Sequence, residues 1–186
     1  MHAASITIRT AAEADAPRLL EIYAPYVRKT AITFEYELPT EEEFAARIRR
    51  VLKRYPYLVA ENEGQILGYA YASAFHTRAA YDWAVESSIY MDKKKKRMGL
   101  GRRLYEKLKE CLLAQGVLNV NASIAYLEQP DEYLTADSVA FHTRLGCRAA
   151  GQLHFCGYKF GRWYHTVFYG KAFGPPSASA AAGAPL

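Results

Sequence analysis

A basic stretch that runs into two closely spaced glycines is the most chemically informative part of the sequence. Lys93 to Arg97 are consecutive cations, and Gly99 and Gly101 follow at once. Glycines permit a tight turn whose main-chain N–H groups surround an anion, and a helix behind it adds positive charge at its N-terminus. The pattern indicates a phosphate-binding turn, while a solvated basic loop explains the same residues. The groups placed around the phosphate belong to Lys96, Arg97, Met98, Gly99, Leu100, Gly101 and Arg102.

Two better-known nucleotide-binding loops do not fit this turn. The P-loop requires Gly-x-x-x-x-Gly-Lys-Ser/Thr, which the sequence does not contain. A dinucleotide fingerprint needs a third glycine where Leu104 stands, and it would follow the first strand of the chain rather than a later one. The turn therefore indicates another kind of phosphate-bearing ligand.

Glu86 is the second residue whose type and position suggest chemistry. It lies inside a mainly apolar segment that reads as a strand, Ala84 to Met91, shortly before the basic turn. A carboxylate in such a place can act as a general base that takes a proton from a reacting group. A strand glutamate that faces solvent or forms a salt bridge is the alternative that the residue alone leaves open.

Length and composition are those of one globular domain. The chain has 186 residues, of which 51% are apolar, and no run of about 18 apolar residues that could span a membrane. Neither a secretory signal nor a CxxC motif is present, so the three cysteines predict a reduced, cytoplasmic protein. We expect one domain over residues 1–173 and a disordered tail, rich in Pro, Ala and Ser, over 174–186.

The net charge of +5 is unevenly distributed along the chain. Most of the excess lies between Lys93 and Arg103. Such a local cluster fits a small phosphate-bearing ligand at least as well as a nucleic acid.

The apolar periodicity predicts a mixed α/β fold in the order β-α-α-β-β-β-α-β-α-β-β, with seven strands in one sheet and helices on its faces. The first helix should begin at an N-cap, Asp15, and falter near Pro25, and residues 32–37 should form a strand. Thr40 and Glu43 form a capping box for the second helix. The later elements are predicted over residues 57–60, 65–73, 84–91, 102–115, 117–125, 138–145, 149–158 and 163–169.

Four separated segments resemble a known family. The turn Lys96-Arg97-Met98-Gly99-Leu100-Gly101 is similar to the Arg/Gln-x-x-Gly-x-Gly/Ala pattern of the GNAT acetyltransferases, with lysine in place of the usual first residue. Residues 81–90, residues 138–147 and the string Gly157-Tyr158-Lys159-x-Gly161-x-Trp163 agree in order and spacing with one branch of that superfamily. That branch contains the phosphinothricin and methionine-sulfone N-acetyltransferases, and the resemblance runs from about Ile6 to about Lys171.

The resemblance implies a fold, a reaction and a cofactor. It implies the GNAT fold, with a twisted, mostly antiparallel sheet, and direct attack of a primary amine on acetyl-CoA without a covalent enzyme intermediate or a metal. Glu86 becomes the general base, and His142 stands where most members carry a tyrosine. His142 would protonate the departing thiolate or pair with Glu86.

The same resemblance assigns binding residues. Main-chain groups between Ile89 and Met91, including Tyr90, would contact the cofactor and the charge that develops on the thioester oxygen. Ser138 would also contact the cofactor, as would Thr135, which replaces the family asparagine after an unusual acidic and aromatic stretch at 126–133. The residues implied for the acceptor amine are Phe34, His76, Arg78 and Tyr81, and core packing explains Phe34 equally well.

Partners and competing interpretations complete the prediction. The family resemblance implies a homodimer with a small-molecule amine substrate and with neither a nucleic-acid nor a membrane partner. Two alternatives remain at this point: a nucleic-acid-binding module that uses Lys93 to Arg103, and a GNAT fold that binds acyl-CoA as a sensor without turnover.

Overall fold

The computed structural model describes residues 6–94 and 99–174, which form eleven helices and strands and two short 3-10 turns at Glu13–Asp15 and Ala79–Tyr81. Lys96, Arg97, Met98 and the predicted tail beyond Gly174 lie outside the described residues. In chain order the elements are β1 Ile6–Thr10, α1 Ala16–Lys29, α2 Glu41–Leu52, β2 Tyr57–Asn62, β3 Gln65–Ala74, β4 Ala84–Met91, α3 Leu100–Ala114, β5 Asn119–Tyr126, α4 Asp137–Arg144, β6 Arg148–Lys159 and β7 Arg162–Ala172.

The seven strands form one sheet in the order β1-β2-β3-β4-β5-β7-β6. Among the paired strands of the described chain, β4 and β5 run parallel and all other neighbours run antiparallel. The predicted mixed, mostly antiparallel seven-stranded sheet is therefore confirmed. The sheet edge is formed at one side by β6, which pairs only with β7 within the described residues.

Both faces of the sheet are covered by helices because the central strands are apolar on both sides. Tyr57 and Val59 of β2 point to α1 and α2, whereas Leu58 and Ala60 point to α3. On α3, the fully buried residues Leu104, Leu108 and Leu112 recur every four positions, as the sequence predicted. Full burial of each such leucine contributes about 1.5–3 kcal/mol, so the core fixes α3 against β4.

The first helix begins after the N-cap Asp15, as predicted, but it does not end near Pro25. It continues through Pro25 to Lys29, although an internal proline costs about 3 kcal/mol. Val27, in the turn after the proline, is 1% exposed, and its packing offsets part of that cost. Asp15 does not cap the helix with its side chain, because its carboxylate accepts hydrogen bonds from Arg9 and from the Ala12 N–H.

Residues 32–37 are not a strand, which corrects another prediction. The hydroxyl of Thr33 accepts a hydrogen bond from the Glu35 N–H at 3.3 Å, and that of Thr30 accepts one from the Ile32 N–H at 3.4 Å. Such local side-chain bonds to the main chain compete with sheet pairing. The segment instead forms a loop between α1 and α2 that borders the site described below.

The remaining local signals are confirmed, with one change in a turn. Thr40 Oγ1 accepts from the Glu43 N–H at 3.1 Å, and the Glu43 carboxylate accepts from the Thr40 N–H at 2.8 Å. The stretch Glu61-Asn62-Glu63-Gly64 predicts a hairpin turn, because Asn and Gly tolerate positive φ. The hairpin forms between β2 and β3, but Glu63 (φ +50°) and Gly64 (φ +77°) carry its turn, and Asn62 belongs to β2. Two consecutive positive φ values match the twist of the flanking strands.

Candidate active site

The parallel pair at the centre of the sheet separates after three residues. β4 and β5 are paired at Ala84 to Glu86, and Ser87 Oγ then donates to the Asn121 carbonyl at 3.2 Å. Beyond this point β4 stays with β3 and β5 stays with β7, so an opening forms between the two strands. The opening is lined by residues 87–90 and 122–125, together with Ile32, Leu134, Ser138 and His142.

The main chain of β4 presents hydrogen-bonding groups to this opening. Asp92 N–H bonds Leu67 O at 2.8 Å and Phe75 N–H bonds Ala84 O at 3.4 Å, which shows that the even-numbered residues of β4 bond to β3. The N–H and C=O groups of Ile89 and Met91 therefore point away from β3, toward the opening. The sequence prediction of a main-chain cofactor contact at these two residues is compatible with that orientation.

Tyr26 of α1 modifies this arrangement. Its hydroxyl donates to Met91 O at 2.7 Å and accepts from the Met91 N–H at 3.2 Å. Ile89 is therefore the residue whose main chain faces the opening without such a side chain over it. Tyr90 differs from both neighbours, because its ring packs edge-on against Tyr23 at 5.0 Å and its main chain pairs with Tyr69 on β3.

The glycine turn leads directly into α3. Gly99 occupies the N-cap position with φ +68°, a left-handed conformation that favours glycine. Gly101 lines the cleft beside the opening, where an added Cβ would lie 3.3 Å from the Phe141 ring. The first turn of α3 contains no acidic residue, and Arg102 is exposed there. The helix N-terminus, with its unsatisfied N–H groups, therefore faces a cleft that suits an anion.

Replacing Gly99 by alanine is expected to weaken acetyl-CoA binding roughly tenfold, because a left-handed non-glycine residue costs about 1–2 kcal/mol and the turn would relax. An added Cβ at Gly99 meets no atom within 4 Å, so the effect is conformational rather than steric. Isothermal titration with acetyl-CoA measures it. Gly64→Ala is the matched control, since Gly64 has φ +77° in the distant β2–β3 turn. Equal affinities of the two variants would contradict the assignment of the turn.

The cleft has a volume of about 380 Å³ and adjoins the opening on the side of α3 and α4. Thr135, Ser138 and Gly101 line it, as do Lys93 of the basic stretch and Tyr26. Glu132 and Tyr133 of the unusual 126–133 stretch border the same cleft. These two residues therefore lie at the cleft beside α4 and not at the cavity next to Glu86.

His142 lies on α4 between the cleft and the opening. It is 9% exposed, its Nδ1 is 2.8 Å from the Ser138 carbonyl, and its Nε2 is buried with no hydrogen-bond partner among the described residues. Burial lowers the pKa of His142 from its ordinary value of 6.5, with the Ser138 carbonyl acting in the opposite direction. Because Nδ1 faces a carbonyl, the neutral ring carries its proton there, which leaves Nε2 as an acceptor.

This geometry changes the two roles expected for His142. A neutral ring with its proton on Nδ1 cannot donate from Nε2 to a thiolate without first taking up a second proton. Pairing with Glu86 is not formed, since Nε2 has no partner in the described chain and Glu86 lies on the other face of the sheet from Val85, which packs against α3. The structure therefore presents His142 Nε2 as a hydrogen-bond or proton acceptor.

Acidification is expected to destabilise the protein through His142. Between the ordinary pKa of 6.5 and the lowered pKa of the folded state, the unfolded chain binds a proton that the folded chain does not, so the free energy of unfolding falls as the pH falls below about 6.5. Urea unfolding at several pH values measures the slope. His142→Phe should flatten it, whereas His154→Gln, at an exposed histidine, should not. Identical slopes in wild type and His142→Phe would contradict the burial argument.

Glu86 lies on the face of the sheet opposite α3, half-buried and directly across from Ser73 of β3. It borders a cavity of about 350 Å³ that is also lined by His76, Asn121 and Phe168. The negative charge of Glu86 is among the effects that raise the pKa of Tyr71, after burial, which is the largest. The carboxylate therefore reaches an accessible space and is close to a tyrosine of β3.

The four residues predicted for the acceptor are not gathered in one place. His76 shares the cavity with Glu86, and the ring of Tyr81, 41% exposed, packs 4.7 Å from that of His76. Arg78 is exposed at the start of a 3-10 turn in the same loop. Phe34 instead packs against Gly157 and Tyr164, within a small core cluster.

A second cavity beside Glu86 was missed by sequence reasoning. It has a volume of about 440 Å³ and is walled by six aromatic rings, with Arg47, Arg50, Glu35, Val51 and Ser73 at its margins. The rings belong to Tyr23, Phe44, Tyr57, Tyr69, Tyr71 and Tyr90. We call it the aromatic cavity. Ser73 and Tyr71 stand opposite Glu86 and Ser88 in the β3–β4 register, so the cavity lies beside the strand position of Glu86. Tyrosines at alternate positions 69 and 71 were the signal that could have revealed it.

The fold and this site agree with known proteins. The acetyltransferase (GNAT) domain family matches residues 8–168. The chain is 37% identical over 172 residues to a phosphinothricin N-acetyltransferase of Streptomyces viridochromogenes, covering 92% of this chain and 90% of that protein. It is 34% identical over 166 residues to an L-methionine sulfoximine/L-methionine sulfone acetyltransferase of Pseudomonas aeruginosa, covering 88% and 92%.

A solved structure shows the same likeness in three dimensions. The phosphinothricin acetyltransferase of Sinorhizobium meliloti in complex with acetyl-CoA superposes with a TM-score of 0.82 at 36% identity, covering 91% of this chain and 89% of that one. The chain therefore belongs to the GNAT acetyltransferase family. It is an N-acetyltransferase of the acetyl-CoA-dependent class, and neither the sensor nor the nucleic-acid alternative is supported. In residues 6–94 and 99–174, no helix is long and apolar enough to cross a membrane.

Proposed function

We propose that the protein transfers the acetyl group of acetyl-CoA to the primary amine of a small amino-acid-like acceptor, of the kind represented by phosphinothricin and methionine sulfone. One observation carries the proposal. The opening between β4 and β5 lies beside the cleft of α3 and α4 on one face of the sheet, and Glu86 with its cavity lies on the other face, where the two strands separate. Two substrates can therefore approach one point from opposite faces.

The residues of the cleft fit acetyl-CoA. Gly101 leaves room beside Phe141, the N-terminus of α3 suits a diphosphate, and Ile89 offers main-chain groups to pantetheine amides. Thr135 and Ser138 add hydroxyls to the same cleft. Lys96, Arg97 and Met98 remain proposed phosphate contacts, and Arg102 is exposed at the helix start. When bound, acetyl-CoA supplies an activated acetyl thioester, and the cleft would direct it toward the opening.

Glu86 takes the proton from the acceptor in this proposal, directly or through a water molecule. An ammonium group cannot attack, so its proton must move to a base within hydrogen-bond reach. The position of Glu86 at the point where β4 and β5 separate supports this role. His142, on the other face, holds its proton on Nδ1 and offers Nε2 to a donor on the cofactor side.

The acceptor would lie between the two cavities that flank Glu86. His76 borders one of them, the Tyr81 ring packs on His76, and Arg78 lies in the same loop. These residues would bind the acidic group of an amino-acid analogue, for which a guanidinium can use two parallel hydrogen bonds. The aromatic cavity on the other side would receive the acceptor side chain. Pockets of about 300–1,000 Å³ with apolar walls and a few polar groups are typical of small-molecule sites.

The defining experiment measures thiol release from acetyl-CoA with methionine sulfone, methionine sulfoximine, phosphinothricin and assorted polyamines. Acceptor-dependent release with the first three compounds is the expected result. Tight binding of acetyl-CoA without release for any amine would instead indicate a sensor. Preference for polyamines would overturn the proposed acceptor class.

Homodimerisation and a cytoplasmic location belong to the same proposal. β6 is an edge strand on which Leu153 and Phe155 are 53% and 64% exposed, and Trp163 of β7 is 56% exposed. Apolar exposure of this kind marks association surfaces, and light scattering of the purified chain would measure the mass. The three cysteines are free thiols, as a reducing compartment requires.

A further inference from the structure

The loop over residues 30–36, which we call the wall segment, borders every cavity of the proposed site except that of His76. Thr30 and Ile32 line the cofactor cleft, Ile32 also lines the opening, and Glu35 lines the aromatic cavity. The segment is neither helix nor strand. Its position must therefore be determined by contacts with other parts of the protein.

Three consecutive residues of β6 provide such contacts. Gly157 leaves the space that the Phe34 ring occupies, since an added Cβ would lie 2.3 Å from that ring. The carbonyl of Tyr158 accepts a hydrogen bond from the Tyr36 hydroxyl. Lys159 Nζ, on the third residue, reaches the main chain of the segment. These residues belong to a string that identified the family in the sequence but received no role in the reaction.

Lys159 makes the strongest of these contacts. Its Nζ donates to Thr30 O at 3.0 Å and to Thr33 O at 2.7 Å, and the residue is 2% exposed. Lys159 is in no salt bridge of the described chain; the charge of Glu35 acts on it without direct contact, and the Phe160 ring centroid lies 5.1 Å from Nζ. A buried cation without a carboxylate in contact is costly, and charge-assisted bonds to two carbonyls offset most of that cost here.

We infer that Gly157, Tyr158 and Lys159 form a clamp that positions the wall segment for the acceptor, with Lys159 as its principal positioning residue. The inference rests on the proposed function. The clamp is expected to act on the acceptor more than on the cofactor. It contacts Phe34 and Tyr36 on both sides of Glu35, which lines the aromatic cavity. Thr30 also borders the cofactor cleft, but the cofactor groups themselves come from the α3 turn and Ile89, which belong to other elements.

Lys159→Met removes the ammonium while keeping the length of the side chain. It is expected to raise the KM for the acceptor about ten- to hundredfold, because two buried carbonyls lose their donor, and to change the dissociation constant of acetyl-CoA less than threefold, or about 0.65 kcal/mol. Lys171→Met is the matched control. Lys171 Nζ also donates to a buried carbonyl, Leu145 O at 2.6 Å, but far from the wall segment. An equal rise in the acceptor KM and in the dissociation constant of acetyl-CoA, or a rise in neither, would overturn the inference.

Hydrogen–deuterium exchange tests the clamp without relying on activity. Amides of residues 30–36 should exchange faster in Lys159→Met and remain as in wild type in Lys171→Met. If the two variants exchange as expected but the wild-type protein acetylates no amine, the proposed function is rejected and the clamp is retained. Unaltered exchange in Lys159→Met, in a protein that acetylates its acceptor normally, would reject the clamp alone.

A second pair of variants applies if Lys159→Met does not fold. Gly157 does not have a positive φ, so Gly157→Ala is sterically opposed only by the Phe34 ring. It should raise the acceptor KM. Adding Phe34→Leu to the same chain leaves room for the methyl group and should bring the acceptor KM part of the way back to the wild-type value. A Gly157→Ala enzyme with unchanged acceptor KM, or a double variant no better than the single one, would contradict the clamp.

Discussion

Replacing Glu86 by glutamine is expected to lower kcat at neutral pH by about 10²–10⁴-fold, the usual contribution of a positioned general base, while the dissociation constant of acetyl-CoA stays nearly unchanged. Glutamine keeps the size of the side chain but cannot take up the proton of the acceptor. Glu86 lies on the opposite face of the sheet from the cofactor cleft, so cofactor binding should not sense the change. Stopped-flow thiol release and isothermal titration measure the two quantities.

The control for this variant is Glu110→Gln on α3, whose carboxylate is 64% exposed and paired with Lys107. Its turnover should match that of wild type. If Glu86→Gln kept full turnover, Glu86 would lose the role of base. A variant that lost acetyl-CoA affinity and turnover together would show that Glu86 organises the cleft rather than the acceptor.

Replacing Val51 by a larger or by a smaller residue is expected to shift the preferred length of the acceptor side chain in opposite directions. Val51 stands half-buried on α2 at the margin of the aromatic cavity. Tryptophan would intrude into the cavity, so acceptors with long side chains should lose roughly a hundredfold or more in kcat/KM, while the smallest amines lose little. Each methylene excluded from an apolar pocket is worth about 1–3 kcal/mol. Alanine should enlarge the aromatic cavity, so that acceptors with longer side chains fit.

The measurement is kcat/KM for a homologous series of amino-acid analogues of increasing side-chain length with both variants. Thermal unfolding shows whether the tryptophan is tolerated. A uniform loss for all acceptors with Val51→Trp and no gain with Val51→Ala would place the acceptor side chain elsewhere. In that event, the cavity next to His76 would become the better location.

Much of the fold could be predicted because its signals are local. The buried leucines of α3 recur at a spacing of four, and Thr40 and Glu43 form a capping box with the expected reciprocal bonds. Both depend on neighbours along the chain. The wall segment was misread as a strand for the opposite reason: Thr30 and Thr33 use their hydroxyls locally, and Lys159, more than a hundred residues later, holds their carbonyls.

The residues of the candidate site also differ in whether local sequence signals could reveal them. Gly99, Gly101 and Glu86 could be found because their spacing on one strand and one turn carries the chemistry. For the aromatic cavity only Tyr69 and Tyr71 gave a local signal, because its other rings come from α1, α2, β2 and β4. The proton on Nδ1 of His142 was also beyond the sequence, since it depends on a carbonyl one helical turn earlier.

The short parallel contact between β4 and β5 has a mechanical consequence. Within the described chain, one half-sheet is joined to the other by three residue pairs and by a few further bonds: those of Leu118 and Asn119 to Trp83 O, that of the Ser87 hydroxyl, and that of Asn121 Nδ2 to Val85 O. These few contacts resist movement of one half-sheet relative to the other less than a full ladder of hydrogen bonds would. A molecule bound between β4 and β5 would supply hydrogen bonds that the two strands do not make there. The sheet would then become more rigid as the fraction of ligand-bound protein rises.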